Sequence, residues 1–172
     1  MKQAILLRGP SGAGKSTIVK ILMEGQPDIQ HIDVDSFKSE VSDHPSKARR
    51  EAAYRKTLQV LQGIAAQEND VIIDEQFREQ FYKDVVSVLA KHDYKVLTVF
   101  LQTTLEALIL RDSKRKNPLG KERIETLYNR DRQITKEHEV DDKDLIVDTT
   151  QSEPEEIAKT ILSSLSPSSP QQ

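Results

Sequence analysis

The stretch Leu6–Lys20, LLRGPSGAGKSTIVK, restricts this chain more than any other. It matches G-x-x-x-x-G-K-[ST], with Gly9, Gly14, Lys15 and Ser16 at the fixed positions. An apolar run leads in and a helix-like run leads out, which is the strand–loop–helix setting the pattern requires. Glycine lets a backbone turn tightly and approach closely, so Gly9, Gly12 and Gly14 suit a loop whose N–H groups converge on an anion. A helix opening near Lys15 adds its positive end. Gly9, Pro10, Ser11, Gly12, Ala13, Gly14, Lys15, Ser16 and Thr17 are the expected phosphate cradle of an ATP site. Lys15 is placed to reach the β- and γ-phosphates and Ser16 to ligate Mg2+. The loop leaves open whether the phosphate is transferred, given to water or only sensed.

Around this loop, strand and helix patterns alternate. Strands are expected at Gln3–Arg8, Gln30–Val34, Asp70–Asp74, Lys95–Gln102 and Leu145–Thr150. Helices are expected at Lys15–Met23, from Pro45 or Ser46 to Asn69, and at Glu79–Lys91. Others follow from a Thr104 cap through Leu110, at Lys121–Lys136 and at Glu153–Leu165. In the long helix Tyr54, Leu58, Leu61, Ile64 and Ala65 recur at helical spacing; in the next, Val85, Val86 and Leu89 point inward. Five strands separated by helices imply an α/β fold: a parallel sheet covered on both faces, with ligands at the carboxyl ends of the strands. The 172 residues suit one domain, expected over residues 1–165, with 166–172 a disordered tail by composition. The chain has no cysteine, which excludes disulfides and thiolate metal sites. Its apolar runs are too short for a bilayer span or a secretion signal, so a cytoplasmic location is expected. A net charge of −3 excludes a global basic field, though not a local basic patch.

Acids at strand ends bear on the fate of the phosphate. Asp74 in VIIDE is placed to hold Mg2+ through water, and Glu75 beside it invites an ATPase reading. No second ATPase signature and no N-K-x-D guanine signature accompany them. In HIDVDSFK, Asp35 falls at the expected carboxyl end of the second strand. There it could take the proton of an attacking hydroxyl, or cap the short helix that follows. Downstream, LRDSKRKNPLG carries Arg111 and Arg115 at helical spacing, where guanidinium groups could neutralise a transferring phosphoryl group.

These motifs together resemble the small P-loop kinases of the nucleoside-monophosphate-kinase-like group. The likeness is greatest to phage-type polynucleotide 5′-kinase domains, with zeta-toxin-like and antibiotic phosphotransferase relatives near. It runs from Gln3 to about Leu162. It implies a three-layer P-loop fold with a short basic lid. The group's D-x-[FY]-[RK]-like acceptor motif is matched by Asp35, Ser36, Phe37 and Lys38. Asp35 would then be the catalytic aspartate, and Lys38 stands where an acceptor-binding arginine is common. The lid motif R-x-x-x-R is matched by Arg111 and Arg115, and the last strand, adenine-side loop and helix by LIVDTTQSEPEEIAKTIL. Glu75 departs from the group's pattern.

For the acceptor, Lys47, Arg49, Arg50, Arg55 and Lys56 on the long helix form either a basic wall or a solvated face. Only Tyr54 and Phe37 offer stacking faces there. A polynucleotide 5′-hydroxyl is the leading expectation, with Lys38 and Arg50 on the acceptor. A small metabolite, nucleotide sugar or antibiotic is the alternative, and a nucleotide-sensing module the reading without turnover. His31, His44, His92 and His138 show no metal-ligand spacing.

Overall fold

The computed structural model describes residues 2–40, 46–137 and 141–165. The chain order is β1 (Gln3–Arg8), α1 (Lys15–Gly25), β2 (Gln30–Asp33), α2 (Val34–Glu40), α3 (Ser46–Ala66), β3 (Val71–Asp74) and α4 (Glu79–Lys91). It continues with β4 (Lys95–Gln102), α5 (Leu105–Ser113), α6 (Lys121–Glu137), β5 (Leu145–Asp148) and α7 (Pro154–Leu165). All five strands run parallel, in the order β2-β3-β1-β4-β5. The expected α/β architecture is the observed one, with helices on both sheet faces.

Alternation along β1 shows how the layers form. Ile5 and Leu7 face a core shared with α1 and α7, through Ile18, Leu22 and Ile161. Ala4 and Leu6 face the other core, shared with α3 and α4, through Leu61, Val85 and Leu89. Successive strand residues point to opposite faces, so a strand buried on both sides reads as an unbroken apolar run.

Several expected boundaries move. β2 ends at Asp33, because Val34 already begins α2. α3 closes at Ala66, short of the expected Asn69, and the loop after it turns through Glu68 at φ 61. α5 runs on to Ser113, and β5 stops at Asp148. Within α3 the buried residues are Ala53, Thr57, Leu61 and Ala65, while Tyr54, Leu58 and Ile64 pack at the edge of the core. In α4 Phe81, Val85 and Leu89 are buried. The expected helix start at Pro45, and His44, His138 and the expected tail 166–172, lie outside the described residues.

Candidate active site

The phosphate loop joins the end of β1 to the start of α1. Gly9 has no room for a side chain: a Cβ there would sit 2.9 Å from the Leu101 backbone oxygen and Cβ. The loop therefore lies directly on the end of β4. Gly12, at φ 91, holds a left-handed turn that L side chains rarely adopt. The Lys15 ammonium donates to the carbonyls of Gly9 at 2.8 Å and Pro10 at 3.3 Å. Its stem thus already lies along the loop whose amides the sequence pattern directs at phosphate.

The acids assemble because β2 and β3 are neighbours in register, with Asp33 opposite Asp74. Asp33 Oδ1 accepts from the backbone N–H groups of Asp35 at 2.9 Å and Ser36 at 3.2 Å. The cap of the short helix is therefore Asp33 and not Asp35. Asp35 instead occupies the first turn of α2, with its side chain 78 % exposed to the cleft. Asp74 Oδ1 lies 2.6 Å from His31 Nε2. His31, which has no assignable role from spacing, is thereby the partner of a strand-end acid.

Glu75 is buried, with only 6 % of its side chain exposed. Its N–H donates to Leu7 O at 3.2 Å, and its Oε2 lies 2.5 Å from Lys38 Nζ. Lys38 Nζ is also 2.7 Å from Asp35 Oδ1. Burial raises the pKa of Glu75, and the facing Lys38 pulls it back. Burial works against the Lys38 charge, but Glu75 and Asp35 together outweigh it and hold the ammonium above its usual range.

The basic residues divide into engaged and unengaged groups. Lys56 pairs with Glu40 and lies 4.5 Å from the centre of the Phe37 ring, so it ties α3 to α2. Lys47 lies 4.0 Å from Glu51 on the same helix. Arg49 and Arg50 instead face the cleft, as do Arg78 ahead of α4 and Arg123 and Arg130 of α6. Among the described residues these five side chains make no hydrogen bond or ion pair. Tyr54 also lines the cleft, but its ring stacks on Phe81 at 3.8 Å and an interplanar angle of 3°. Burial, helped by Glu75, pushes its phenol up to about 12.

The helix expected to end at Leu110 runs on to Ser113 and takes in Arg111. Arg111 stands in α5, donates to Thr149 O and to Thr149 Oγ1 at 3.3 Å, and reaches Gly12 O at 3.4 Å. It thus ties the phosphate loop to the loop after β5. Arg115 lies beyond the helix and is 40 % exposed, 3.7 Å from Asp112. Asp112 is buried and accepts from the N–H groups of Leu119 at 3.1 Å and Gly120 at 2.9 Å, which organises the basic loop.

Two residues escaped the reading of the sequence. Arg8 is 2 % exposed and lies on the α3–α4 side of β1, as alternation from Leu6 requires. Its Nη2 donates to Gln76 O at 3.2 Å and Phe77 O at 3.0 Å, bracing the turn after Glu75. The rings of Phe100, Tyr82 and Phe77 surround the guanidinium at 4.8, 5.2 and 5.9 Å. An arginine closing an apolar strand was the available signal. Asp131 of α6 has its pKa raised to about 6 by burial, against the pull of Lys15 and Arg8. Nothing in its local sequence reports that burial.

Ser16, Asp74, Asp35, Glu75 and the loop residues from Ser11 to Thr17 line one cleft of about 970 Å3, whereas Gly9 and Pro10 line a separate pocket beside α6. A hydroxyl and a carboxylate are hard oxygen donors and fit Mg2+, which takes few protein ligands and completes its shell with phosphate and water. Among the described residues no three His, Cys, Asp or Glu side chains gather as a metal site of their own, so Ser16 and Asp74 could supply only part of a coordination shell. No helix among the described residues is long and apolar enough to cross a membrane.

A family model described as an AAA domain matches residues 5–130. Among solved structures, a sugar kinase from Janibacter is similar at TM-score 0.75 and 17% identity, covering 96% of this chain and 95% of that one. The APS kinase CysC of Mycobacterium tuberculosis, solved with AMPPNP and APS, is similar at TM-score 0.67 and 19% identity, with 95% and 97% covered. A chain of the Pnkp1/Rnl/Hen1 RNA repair complex is similar at TM-score 0.65 and 19% identity, over 80% of this chain and 46% of that one. At these identities the likeness is one of fold.

Proposed function

The chain belongs to this AAA-domain family, and from that premise we propose that it is an ATP-dependent phosphotransferase acting on a hydroxyl acceptor. The observation that carries the reading is the joint lining of one cleft by the phosphate loop and Asp35. ATP would lie with its phosphates on Gly9–Thr17 and Lys15, and Mg2+ bound by Ser16 and Asp74 would offset their charge. The acceptor oxygen attacks the γ-phosphorus, the bond to the β–γ bridging oxygen breaks, and ADP leaves. The hydroxyl proton passes to Asp35, whose exposed carboxylate can receive it. Arg115 sits where it could meet charge developing on the transferred group, and Arg111 holds the loop beneath it. Glu75 is less suited to activating water in an ATPase, because it is buried and paired with Lys38.

For the acceptor, a polynucleotide 5′-hydroxyl is the first proposal. Arg49, Arg50 and Arg78, which line the Asp35 side of the cleft and make no ion pair among the described residues, support an acceptor that carries phosphate, and the fold likeness to a chain of an RNA repair complex points the same way. A compact anionic metabolite is the second, favoured by Tyr54: with one face stacked on Phe81, it is a poor platform for a succession of bases. Lys38 is committed to two carboxylates, so Arg50 is the stronger candidate for acceptor contact.

The test uses ATP labelled at the γ-phosphate, with 5′-hydroxyl oligonucleotides and phosphorylated metabolites as separate acceptor sets. Acceptor-dependent transfer is expected, falling roughly 10²- to 10⁴-fold in Asp35→Asn with ATP affinity nearly unchanged. Phosphate release that ignores every acceptor and vanishes in Glu75→Gln would establish the ATPase instead. Binding with no turnover at all would leave a sensing module.

A further inference from the structure

Three charged side chains from two elements form one chain of contacts at the acceptor side. Glu75 Oε2 lies 2.5 Å from Lys38 Nζ, and Lys38 Nζ lies 2.7 Å from Asp35 Oδ1. Their exposures run in order: 6 % for Glu75, 26 % for Lys38, 78 % for Asp35. We propose that Glu75 is a positioning residue for phosphoryl transfer, acting through Lys38 to keep Asp35 a competent base. The inference rests on the kinase reading above.

A cation beside a carboxylate favours its charged form, so Lys38 with no second partner would oppose the arrival of a proton at Asp35. Glu75 supplies Lys38 with a second carboxylate that stays in place when Asp35 is neutralised. With Asp35 ionised the trio carries a net −1, and with Asp35 protonated Lys38 and Glu75 remain a balanced pair. Accepting the proton therefore leaves no buried charge without a partner, the condition that makes such proton transfer affordable. Lys38 engages Asp35 through Oδ1, which leaves Oδ2 for the acceptor hydroxyl.

The fold holds Glu75 in place from several sides. Its N–H is tied to Leu7 O, and Arg8 braces the carbonyls of Gln76 and Phe77 that follow. Tyr54 lies near Glu75 and Lys38, with Arg50 and Arg78 near Tyr54 in turn, and Asp33 and Asp74 line the same cleft. The Tyr54 phenol, pushed up to about 12, does not titrate in the working range, and the arginines stay charged. The Glu75 carboxylate is engaged by Lys38 of α2, and its N–H by Leu7 O of β1.

The test is a double-mutant cycle on the full chain, with kcat, the KM for the acceptor and melting temperature measured on each variant. Glu75→Gln should cut kcat about tenfold, with the KM for the acceptor little changed. Lys38→Met combined with Glu75→Gln should recover part of the rate, so that the two substitutions are not additive. Additive rate losses that track the melting temperature would overturn the inference and leave Glu75 a structural ion pair. Absence of transfer by the unaltered protein to any acceptor overturns the kinase reading, and this inference with it.

Discussion

The Lys15 charge is near enough to Asp131 to work against the effect of its burial. Lys15→Ala removes the cation facing the β- and γ-phosphates but leaves the loop's N–H groups. Residual nucleotide binding with turnover largely lost is the expected result, read by calorimetry and the transfer assay; turnover at the original rate would mean the chemistry lies elsewhere. Asp131 titrates near 6 in the folded chain, above the ordinary 3.8. Between these values the folded state binds more protons than the unfolded state, so this group's contribution to stability falls as pH rises through that window. Above about pH 6 the cost of ionising it under burial is complete. Asp131→Asn should therefore raise the melting temperature at pH 7 and have a vanishing effect at pH 4. A gain of equal size at both pH values would rule out titration as the cause.

The segment from α5 into the basic loop combines two arginines with different surroundings, so they should fail differently. Arg111 makes ground-state contacts with Thr149 and Gly12, binding helix to loops. Among the described residues the Arg115 side chain pairs with Asp112 alone, and its Nη2 lies 3.4 Å from where a Gly12 Cβ would be. A cation free to move onto the transferring group acts mainly in the transition state. Arg115→Ala should thus lower kcat, by as much as about 10³-fold if it acts as arginines do in other phosphoryl transfers, with little change in ATP affinity. Arg111→Ala should weaken ATP binding and lower the melting temperature. Single-turnover kinetics beside ATP titration separates the two; a loss confined to affinity in Arg115→Ala would make it a ground-state contact.

For the molecule as a whole, the sheet order places β1 between β3 and β4, so the phosphate loop leaves the middle of the sheet. The cleft there is lined by the segments that follow β1, β2, β3 and β5, through residues such as Lys15, Asp35, Glu75 and Thr150, so a ligand in it would bridge them. Binding to the folded state alone stabilises it by mass action, about 2.7 kcal/mol at a hundredfold excess over Kd. MgATP should raise the melting temperature in one cooperative transition, and Lys15→Ala should shrink that rise. An unchanged melting temperature at saturating MgATP would argue against nucleotide binding in this cleft.

The phosphate loop, the five strands and the layered α/β architecture were legible in the chain, because each depends on residues a few positions apart. Glycine spacing sets the loop, and apolar runs and helical periodicity set the elements. The partners of the charged groups were not legible in this way. Asp33 caps α2 in place of Asp35 because β2 ends one residue earlier than its pattern implies, a decision made by pairing with β3. Glu75 meets Lys38, 37 residues away, only because β2 and β3 lie side by side. His31 meets Asp74 for the same reason. Arg8 owes its surroundings to the aromatic rings packed around it and Asp131 to the packing of α6 near Arg8 and Lys15, which no local window reports. Periodicity carries the fold because it is repeated along the chain. Ion pairs within hydrogen-bond reach depend on strand order, register and exclusion of water, which exist only once the sheet has assembled.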